Sequence, residues 1–462
     1  MVRMEWDTLG QVEVPDDVYY GPQTVRAARN FRVSGLKLPP VFIWAQAVVK
    51  QASAKANMDA GKLDPAIGGP IIRAASEVRE GWFDDQFVVD AFQSGAGTSQ
   101  NMNANEVIAN RALEIMSEAR GRYGIIHPND HVNMSQSSND TIHTAIHIAA
   151  MESLSNTLLP VLTILHEGLI ARSVEYRDIV KPGRTHLQDA VPVTLGQEFG
   201  GYARMVELGI RGLSTSMDAL AELNMGGTAV GTGLNAPEGF GEIAVSEVNR
   251  ITGLTFRLAR DPFEATQGAS AILTASSALR SIAVSLIKIA NDLRLLSSGP
   301  RTGIGEIELP AVQPGSSIMP GKVNPVMAEM LNMACFQVVG NDTVIMMAAQ
   351  AGQLELNVFT PLMAHNLLGS IQLLSGAVES FTRQCLQGIT ANAGHCRALA
   401  GKSLALTTVL APKLGYETAA DIASRAYRDN TTIRDVVLDS GLLTENEVDT
   451  MLDPLRMAAV KK

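Results

Sequence analysis

Four clusters of small hydroxyl, amide and glycine residues interrupt an otherwise apolar chain, and each is predicted to precede or open a helix. The clusters are 95–106 (GAGTSQNMNANE), 135–147 (SQSSNDTIHTAIH), 183–189 (GRTHLQD) and 315–325 (GSSIMPGKVNP). A helix N-terminus carries a partial positive charge and unpaired N–H groups, which bind anions. A single cluster of this kind is more often an ordinary helix cap. Four together, with Lys322 in the last, indicate a site for a small dianion.

The histidine and asparagine spacings suggest metal sites only superficially. His143 and His147 lie four residues apart, which places both on one face of a helix, but no HExxH motif and no third ligand accompany them. We therefore predict interior or capping roles for this pair. Asn101, Asn103 and Asn105 lack the acidic residues of a calcium loop. The sequence predicts neither a metal nor a cofactor.

Composition favours helices and excludes some partners. Among 462 residues, 46% are hydrophobic but only 5% aromatic, which favours packed helices over sheets. A formal net charge of -10 argues against nucleic acid or an anionic membrane as partner. The N-terminus lacks the apolar core of a signal peptide, and no uninterrupted apolar run is long enough to span a membrane. Three cysteines without paired or metal-binding spacing fit a reducing cytosol, so a cytoplasmic location is expected.

The elements that must position these clusters are long helices. Proline and glycine break the first ~135 residues into short helices and loops, with one clear helix at 41–62 between the Pro39-Pro40 pair and Gly61. The segment 261–299 contains a heptad seam and only Gly268 as an interruption, which predicts a helix roughly 55 Å long. The seam residues are Leu279, Ile282, Leu286, Ile289, Leu293 and Leu296.

A helix of that length exceeds the core of a compact monomer, so we expect an oligomer built around a bundle. The predicted fold class is all-α, with a long-helix central domain flanked by two smaller, mainly helical domains. The predicted domains are an N-terminal domain at 1–137, a tetramer-forming bundle at 138–393 and a C-terminal cap at 394–462. In the cap, Thr444 and Glu447 form a capping-box signature that opens a short helix.

The polar clusters resemble the signatures of the fumarase/aspartase superfamily. The matching segments are GSSIMPGKVNP at 315–325, SSND at 137–140, GRTHLQDA at 183–190, GGTAVGTGLN at 226–235 and SGPRTGIGEI at 298–307. The resemblance extends from Tyr19 to the C-terminal cap. It implies a lyase acting on a small dicarboxylate without a cofactor. It also implies a homotetramer with a twenty-helix core, in which each active site is shared by three subunits.

The resemblance also implies roles for individual residues. Ser316 would be the catalytic base on a mobile loop, and His186 paired with Glu329 would stand beside the leaving group. Lys322, Asn324 and Thr185 would bind and polarise a carboxylate. The remaining polar groups of the substrate would be bound by Thr98, Ser137, Ser138 and Asn139. An accessory dicarboxylate site of fumarases would correspond to His127, Asn129 and Asp130. Isoleucines occupy the two positions before it where basic residues are typical, so that second site is doubtful.

Two activities fit this resemblance, and a third possibility is a non-catalytic relative. Hydroxide needs a proton in order to leave, whereas ammonium leaves already protonated, so His186 favours a class II fumarate hydratase over an aspartate ammonia-lyase. The segments SSND, HPND at 127–130 and NVFTP at 357–361 also resemble fumarases. Conversely, GAGTS at 95–99 and AGQLELNV at 351–358 resemble aspartases. Intact Ser316 and Lys322 argue against a purely structural protein.

Overall fold

A computed structural model describes residues 1–459 of the chain. Helices account for 63% of the residues and strands for 8%, which confirms the predicted all-α class. Internal contacts divide the chain into two compact units, which we describe separately. The first comprises Met1–Pro160, Arg211–Ala283 and Phe336–Ser375, and the second comprises Val161–Ile210, Val284–Cys335 and the chain from Gly376 onward. This partition does not test the three predicted domains, which stay a prediction.

The helices form the bulk of both units. In chain order they are α1 (Pro22–Asn30), α2 (Pro40–Asp59), α3 (Pro65–Arg79), α4 (Thr98–Ile115), α5 (Ser138–Ser153), α6 (Leu159–Glu175), α7 (Leu195–Leu220), α8 (Phe240–Thr252), α9 (Pro262–Gln267), α10 (Ser270–Leu296), α11 (Val326–Gln350), α12 (Thr360–Gln384), α13 (Ala393–Lys402), α14 (Ala411–Leu414), α15 (Tyr416–Arg428), α16 (Ile433–Ser440), α17 (Glu445–Met451) and α18 (Pro454–Met457). Short 3-10 segments occur at Asp84–Gln86, Gly95–Gly97, Leu386–Gly388 and Leu404–Val409, and π-helical turns at Pro128–Val132 and Leu154–Leu158.

The strands form four two-stranded ribbons. In chain order they are β1 (Val2–Asp7), β2 (Gly10–Pro15), β3 (Val180–Thr185), β4 (Gln188–Thr194), β5 (Glu222–Leu223), β6 (Arg257–Leu258), β7 (Ile307–Glu308) and β8 (Thr390–Ala391). The pairs β1–β2, β3–β4 and β7–β8 are antiparallel, and β5–β6 is parallel. The strands therefore only join short segments of the chain in pairs, and the helices form the core.

The core of the first unit is built around α2, α3 and α4. Helix α2 begins at Pro40, where the fixed φ of proline suits the first helical turn, and it ends just before Gly61, whose φ is +67°. This confirms the predicted helix at 41–62 to within a few residues. Its side chains are buried on nearly all sides, including Lys50, which has no exposed surface. A helix buried in this way needs partners for every polar group that it carries.

The long helix predicted at 261–299 is interrupted, and that part of the prediction is wrong. Asp261 caps α9, but Gly268 then adopts an extended conformation, and α10 begins only at Ser270. A Cβ at Gly268 would lie 2.8 Å from Glu264 O, so only glycine fits this break. The 27 residues of α10 span roughly 40 Å instead of 55 Å. Every residue of the predicted heptad seam is buried, so the seam itself is confirmed.

The second unit contains the other departure from the sequence-based prediction. The cluster at 183–189 does not open a helix but forms the tight turn of the hairpin β3–β4. His186 and Leu187, at φ of +56° and +59°, are the two turn residues, as a type I′ turn requires. Farther along the chain, the Thr444–Glu447 capping box at the start of α17 is confirmed.

Two helical stretches, Ser138–Glu175 and Ser270–Leu296, have the length and apolar composition of membrane-crossing helices. Length and composition are the only features that suggest a membrane span, and the core helices of a soluble helical bundle share both. The first stretch also opens on the polar cluster of α5, including the buried carboxylate of Asp140. A buried carboxylate is costly inside a lipid bilayer, which favours the bundle interpretation.

Candidate active site

The first unit brings together hydroxyl groups from two of the predicted clusters. Thr98 is the first residue of α4 and Ser138 the first of α5, and their hydroxyl oxygens lie 3.1 Å apart. The turn before Thr98 passes through Ala96 and Gly97 with φ of +56° and +68°. A Cβ at Gly97 would lie 3.0 Å from the Ile142 side chain, so glycine allows α4 and α5 to approach closely. Two helix N-termini thus meet at one pair of hydroxyls.

The N-terminus of α5 is tied to the glycine-rich segment 226–235. Ser137 caps the helix, and its own backbone N–H donates to Asp140 Oδ1 at 2.9 Å, which completes a capping box. The other oxygen of Asp140 accepts from Thr228 N at 2.9 Å. Asn139 Nδ2 donates to Ala229 O at 2.8 Å. The predicted substrate-binding residues Ser137, Ser138 and Asn139 are therefore held at a rigid, half-buried helix end.

A buried polar layer lies behind this helix end, and sequence reasoning missed it. Lys50 Nζ donates to Asn133 Oδ1 at 2.9 Å and to Gln136 Oε1 at 3.0 Å. Burial lowers the pKa of Lys50 while the charge of Asp140 opposes that shift. Burial likewise raises the pKa of Asp140, against its backbone donors and Lys50. The available signal was Lys50 within the largely apolar segment 41–54.

In the second unit, the loop 315–325 closes on itself at a narrow neck. Gly315 N donates to Lys322 O at 2.7 Å, and Asn324 Nδ2 donates to Gly315 O at 2.7 Å. A Cβ at Gly315 would lie 2.6 Å from Lys322 O, so the neck requires glycine. Beyond the neck, Ser316 Oγ accepts from Ile318 N at 3.2 Å and Met319 N at 2.9 Å. Two N–H donors aimed at one hydroxyl oxygen stabilise negative charge on that oxygen.

Residues after the neck lead directly into α11. Lys322 is exposed, Asn324 is half-buried, and the helix begins at Val326, which confirms the predicted helix start. The Asn324 side chain bonds to the loop instead of capping the helix. Glu329 lies in the first turn, and its carboxylate is 3.9 Å from Arg294 Nη2. Within residues 1–459 of one chain, Glu329 makes no ion pair with His186, so a pairing of these two groups stays a prediction about neighbouring subunits.

Thr185 and His186 stand exposed at the tip of the β3–β4 hairpin. The base of the hairpin is fixed by a buried carboxylate, Glu306, which has no exposed surface. Glu306 lies 3.1 Å from Lys181 Nζ and 2.8 Å from Arg184 Nη2. These are ion-pair distances without good hydrogen-bond angles, so the attraction is mainly electrostatic. Sequence reasoning also missed this anchor, because Glu306 is distant along the chain.

The residues of the doubtful second site share one π-helical turn, Pro128–Val132, preceded by His127. His127 Nδ1 accepts from Asn129 N at 3.1 Å and from Asp130 N at 3.2 Å. The ring thus caps its own turn, and Asp130 extends into solvent with 76% of its side chain exposed. The structure brings the three residues together. One of them is the carboxylate Asp130, and among residues 1–459 no lysine or arginine forms an ion pair with it, so a dianion gains little there.

Comparison with known proteins assigns the family. A family model described as a lyase matches residues 10–340, and one described as the fumarase C C-terminus matches residues 406–459. The chain belongs to the fumarase/aspartase superfamily. It is therefore a lyase, and the predicted family resemblance is confirmed.

Relatives within this superfamily carry both activities. An aspartate ammonia-lyase from a Bacillus species is 48% identical over 456 residues, covering 99% of this chain and 97% of the relative. A class II fumarate hydratase from Rhizobium meliloti (strain 1021) is 48% identical over 455 residues, covering 98% of each. A crystal structure described as a fumarate lyase:delta crystallin from Brucella melitensis bound to cobalt matches with a TM-score of 0.96 and 48% identity over 100% of both chains. Family membership leaves the leaving group open.

Proposed function

We propose that this lyase is a class II fumarate hydratase, which reversibly eliminates water from L-malate to give fumarate. The observation that carries the proposal is the tip of the β3–β4 hairpin. There His186 is exposed on a rigid support, and neither ring nitrogen has a hydrogen-bond partner within residues 1–459. A protonated imidazole next to the reacting carbon can give its proton to a departing hydroxide, which is a step that ammonium does not need.

The proposed reaction begins at Ser316. Its Oγ, as an alkoxide supported by the N–H groups of Ile318 and Met319, removes the proton from the carbon next to a carboxylate. The C–H electron pair moves into that carboxylate and forms an aci-carboxylate dianion. Lys322 and Asn324 bind this dianion at the start of α11, where the helix end adds positive potential. The C–O bond then breaks, and the departing hydroxide takes a proton from the protonated imidazole of His186 and leaves as water. Return of the proton from the Ser316 hydroxyl to the neutral imidazole, through solvent, restores both groups.

The remaining polar groups of the substrate would be bound by the helix ends of the first unit. Thr98 and Ser138 supply hydroxyls, and Asn139 is held by its bond to Ala229 O. We propose that a homotetramer brings these residues together from different chains, so that three subunits contribute to each active site. Exposed apolar side chains on the long helices support such an assembly, since water would otherwise cover them. On α11 they are Met333, Phe336, Met346 and Met347.

The same proposal includes a cytoplasmic location. All three cysteines are buried and free, and burial raises the pKa of Cys335 to about 12. Free thiols of this kind suit a reducing compartment.

The second candidate, aspartate ammonia-lyase, is favoured by the 48% identity to the Bacillus enzyme. Absorbance of fumarate, measured with L-malate and L-aspartate offered separately, decides between them. We expect fumarate from malate and none from aspartate; the reverse result refutes the proposal. Neither activity in a folded oligomer would support the non-catalytic alternative.

Substitutions test the two key groups. Ser316→Ala is expected to lose at least a hundredfold in kcat with the oligomer intact, while the matched control Ser317→Ala keeps near-normal turnover. His186→Asn is expected to lower kcat for malate by roughly 10²–10⁴-fold. If His186→Asn leaves kcat unchanged, the imidazole is not the acid and the case for water as leaving group fails.

A further inference from the structure

A cavity in the first unit brings two histidines of α5 together with several carboxylates, outside the groups assigned to the lyase reaction. Its volume is about 260 Å³, and its lining includes His143, His147, Glu222, Arg257 and Glu264. His143 is only 3% exposed, which confirms its predicted interior position. Its Nε2 is buried and has no hydrogen-bond partner within residues 1–459. A buried polar atom without a partner is rare in native proteins and points to an absent ligand or water.

The hydrogen bonds of the two rings define their tautomers. His143 Nδ1 lies 2.9 Å from Asn139 O, and His147 Nδ1 lies 2.7 Å from Glu222 O. A carbonyl oxygen can only accept, so each Nδ1 carries a proton, and Nε2 of each neutral ring carries a lone pair. Metal-binding histidines typically donate their second N–H to a carbonyl in this way. Both rings therefore have the tautomer that metal-binding histidines have, with the Nε2 lone pair available.

Burial disfavours the protonated form of both rings. It lowers the pKa of His143 to about 4, with the bond to Asn139 opposing the shift and the neighbouring His147 adding to it. Burial also lowers the pKa of His147, against its contacts with the backbone of Glu222 and Leu220.

A second histidine pair in the chain provides a contrast at the same spacing. His127 and His131 also lie four residues apart, but their Nδ1 atoms accept backbone N–H groups. The donor to His131 Nδ1 is His127 N at 2.9 Å, and the donors to His127 Nδ1 are the two N–H groups described above. Their Nδ1 lone pairs are occupied, and in the neutral rings Nε2 carries the proton. The spacing of four residues therefore does not distinguish His143 and His147 from His127 and His131. The tautomers of the α5 pair and the cavity beside it do.

The charges that line the cavity favour a cation. Arg257 is neutralised by Asp218 at 3.1 Å and Glu222 at 3.3 Å. Glu264 has no ion-pair partner within residues 1–459, so it leaves a net negative charge beside the two imidazoles. No three side chains of the ligand types stand ready-assembled around one point in this part of the chain. An ion bound by the two imidazole nitrogens would therefore need further ligands. Water would supply them and, after rotation of its side chain, so would Glu264.

We propose that this cavity binds a divalent transition-metal ion, such as Zn²⁺ or Co²⁺, through Nε2 of His143 and Nε2 of His147. Imidazole nitrogen is a preferred ligand of these ions, whereas Mg²⁺ and Ca²⁺ prefer oxygen. Two histidines four residues apart on a helix can reach one ion. The site is independent of the proposed reaction, because neither ring belongs to the groups that we place on the substrate.

The test uses the full-length protein stripped with EDTA and titrated with ZnCl₂ or CoCl₂ in a calorimeter. We expect one ion per chain with a Kd below ~100 µM, and an anomalous diffraction peak ~2.0–2.2 Å from both Nε2 atoms in soaked crystals. His143→Gln and His147→Gln should each weaken binding at least tenfold, and the matched control His127→Gln should not change it.

Several results would overturn the proposal. They are binding only at millimolar metal, an anomalous peak at another position, and equal affinities of the unsubstituted protein and both α5 variants. Circular dichroism and oligomer size report whether each variant is folded. If His143→Gln does not fold, the anomalous map of the unsubstituted protein decides the question, since a peak away from the α5 pair refutes the site.

Discussion

Asp140→Asn tests how the first unit holds its substrate-binding helix end. Asp140 has no exposed surface, and its two oxygens accept from Ser137 N and Thr228 N, each at 2.9 Å. An Asn side chain offers one oxygen and one NH₂ group, so it can accept from only one of these donors. The other backbone N–H then faces a second donor within the protein interior.

The expected loss of stability follows from that count. A buried N–H left without an acceptor costs about 1–3 kcal/mol. Above the pKa of Asp140, which burial raises to about 7, replacing the charged acceptor by a neutral one adds about 1 kcal/mol. For 462 residues unfolding as one cooperative unit, the unfolding entropy is about 1 kcal/mol/K, so a loss of ~2–4 kcal/mol lowers Tm by ~2–4 °C.

The same change should impair catalysis, because Ser137 and Thr228 position Ser138 and Asn139. A displacement on the order of 1 Å lowers kcat/KM by roughly 10–100-fold. Scanning calorimetry and steady-state kinetics measure the two effects. Asp178→Asn is the matched control, since Asp178 is exposed and pairs only with the neighbouring Arg177. A Tm within ~1 °C of the unsubstituted protein together with unchanged kcat/KM would refute the reasoning.

Two further predictions concern other buried groups. Glu306→Gln removes the buried counter-charge of Arg184 and leaves Lys181 with the partly exposed Glu198, 3.2 Å away, so it should cost about 3 kcal/mol, the lower end for a broken buried ion pair. Guanidinium unfolding measures this loss, and an unchanged midpoint would show that the hairpin does not depend on this anchor. Burial lowers the pKa of His143 to about 4 in the folded chain, whereas the unfolded value is ~6.5. Between pH ~6.5 and about 4, the His143 imidazole is therefore protonated in the unfolded state but not in the folded state. Stability is therefore full above pH ~6.5 and falls as the pH drops towards about 4, and His143→Gln should flatten this decline by up to ~3 kcal/mol; parallel stability–pH curves for the two proteins would contradict it.

Local signals in the sequence were sufficient for several elements. Proline fixed the start of α2, a heptad repeat defined the buried seam of α10, and the polar cluster at 315–325 indicated that a helix follows it. Thr444 and Glu447 defined the start of α17. Each of these features depends on residues within about two helical turns, which is the range over which caps and periodicity act. The neck at Gly315 is similarly local, because its hydrogen bonds join residues of a single loop.

The sequence by itself determined the all-α class, the long helices and the residue types of the candidate site. Tertiary structure decided the hairpin at 183–189, because non-glycine residues accept positive φ only where surrounding contacts compensate. Here Glu306, remote in the chain, provides such a contact through Arg184. Tertiary structure also decided that Lys50 supports the end of α5 and that Nδ1 of both α5 histidines lies against a backbone carbonyl. Burial and hydrogen bonding set those protonation states, and neither is encoded in the spacing of neighbouring residues.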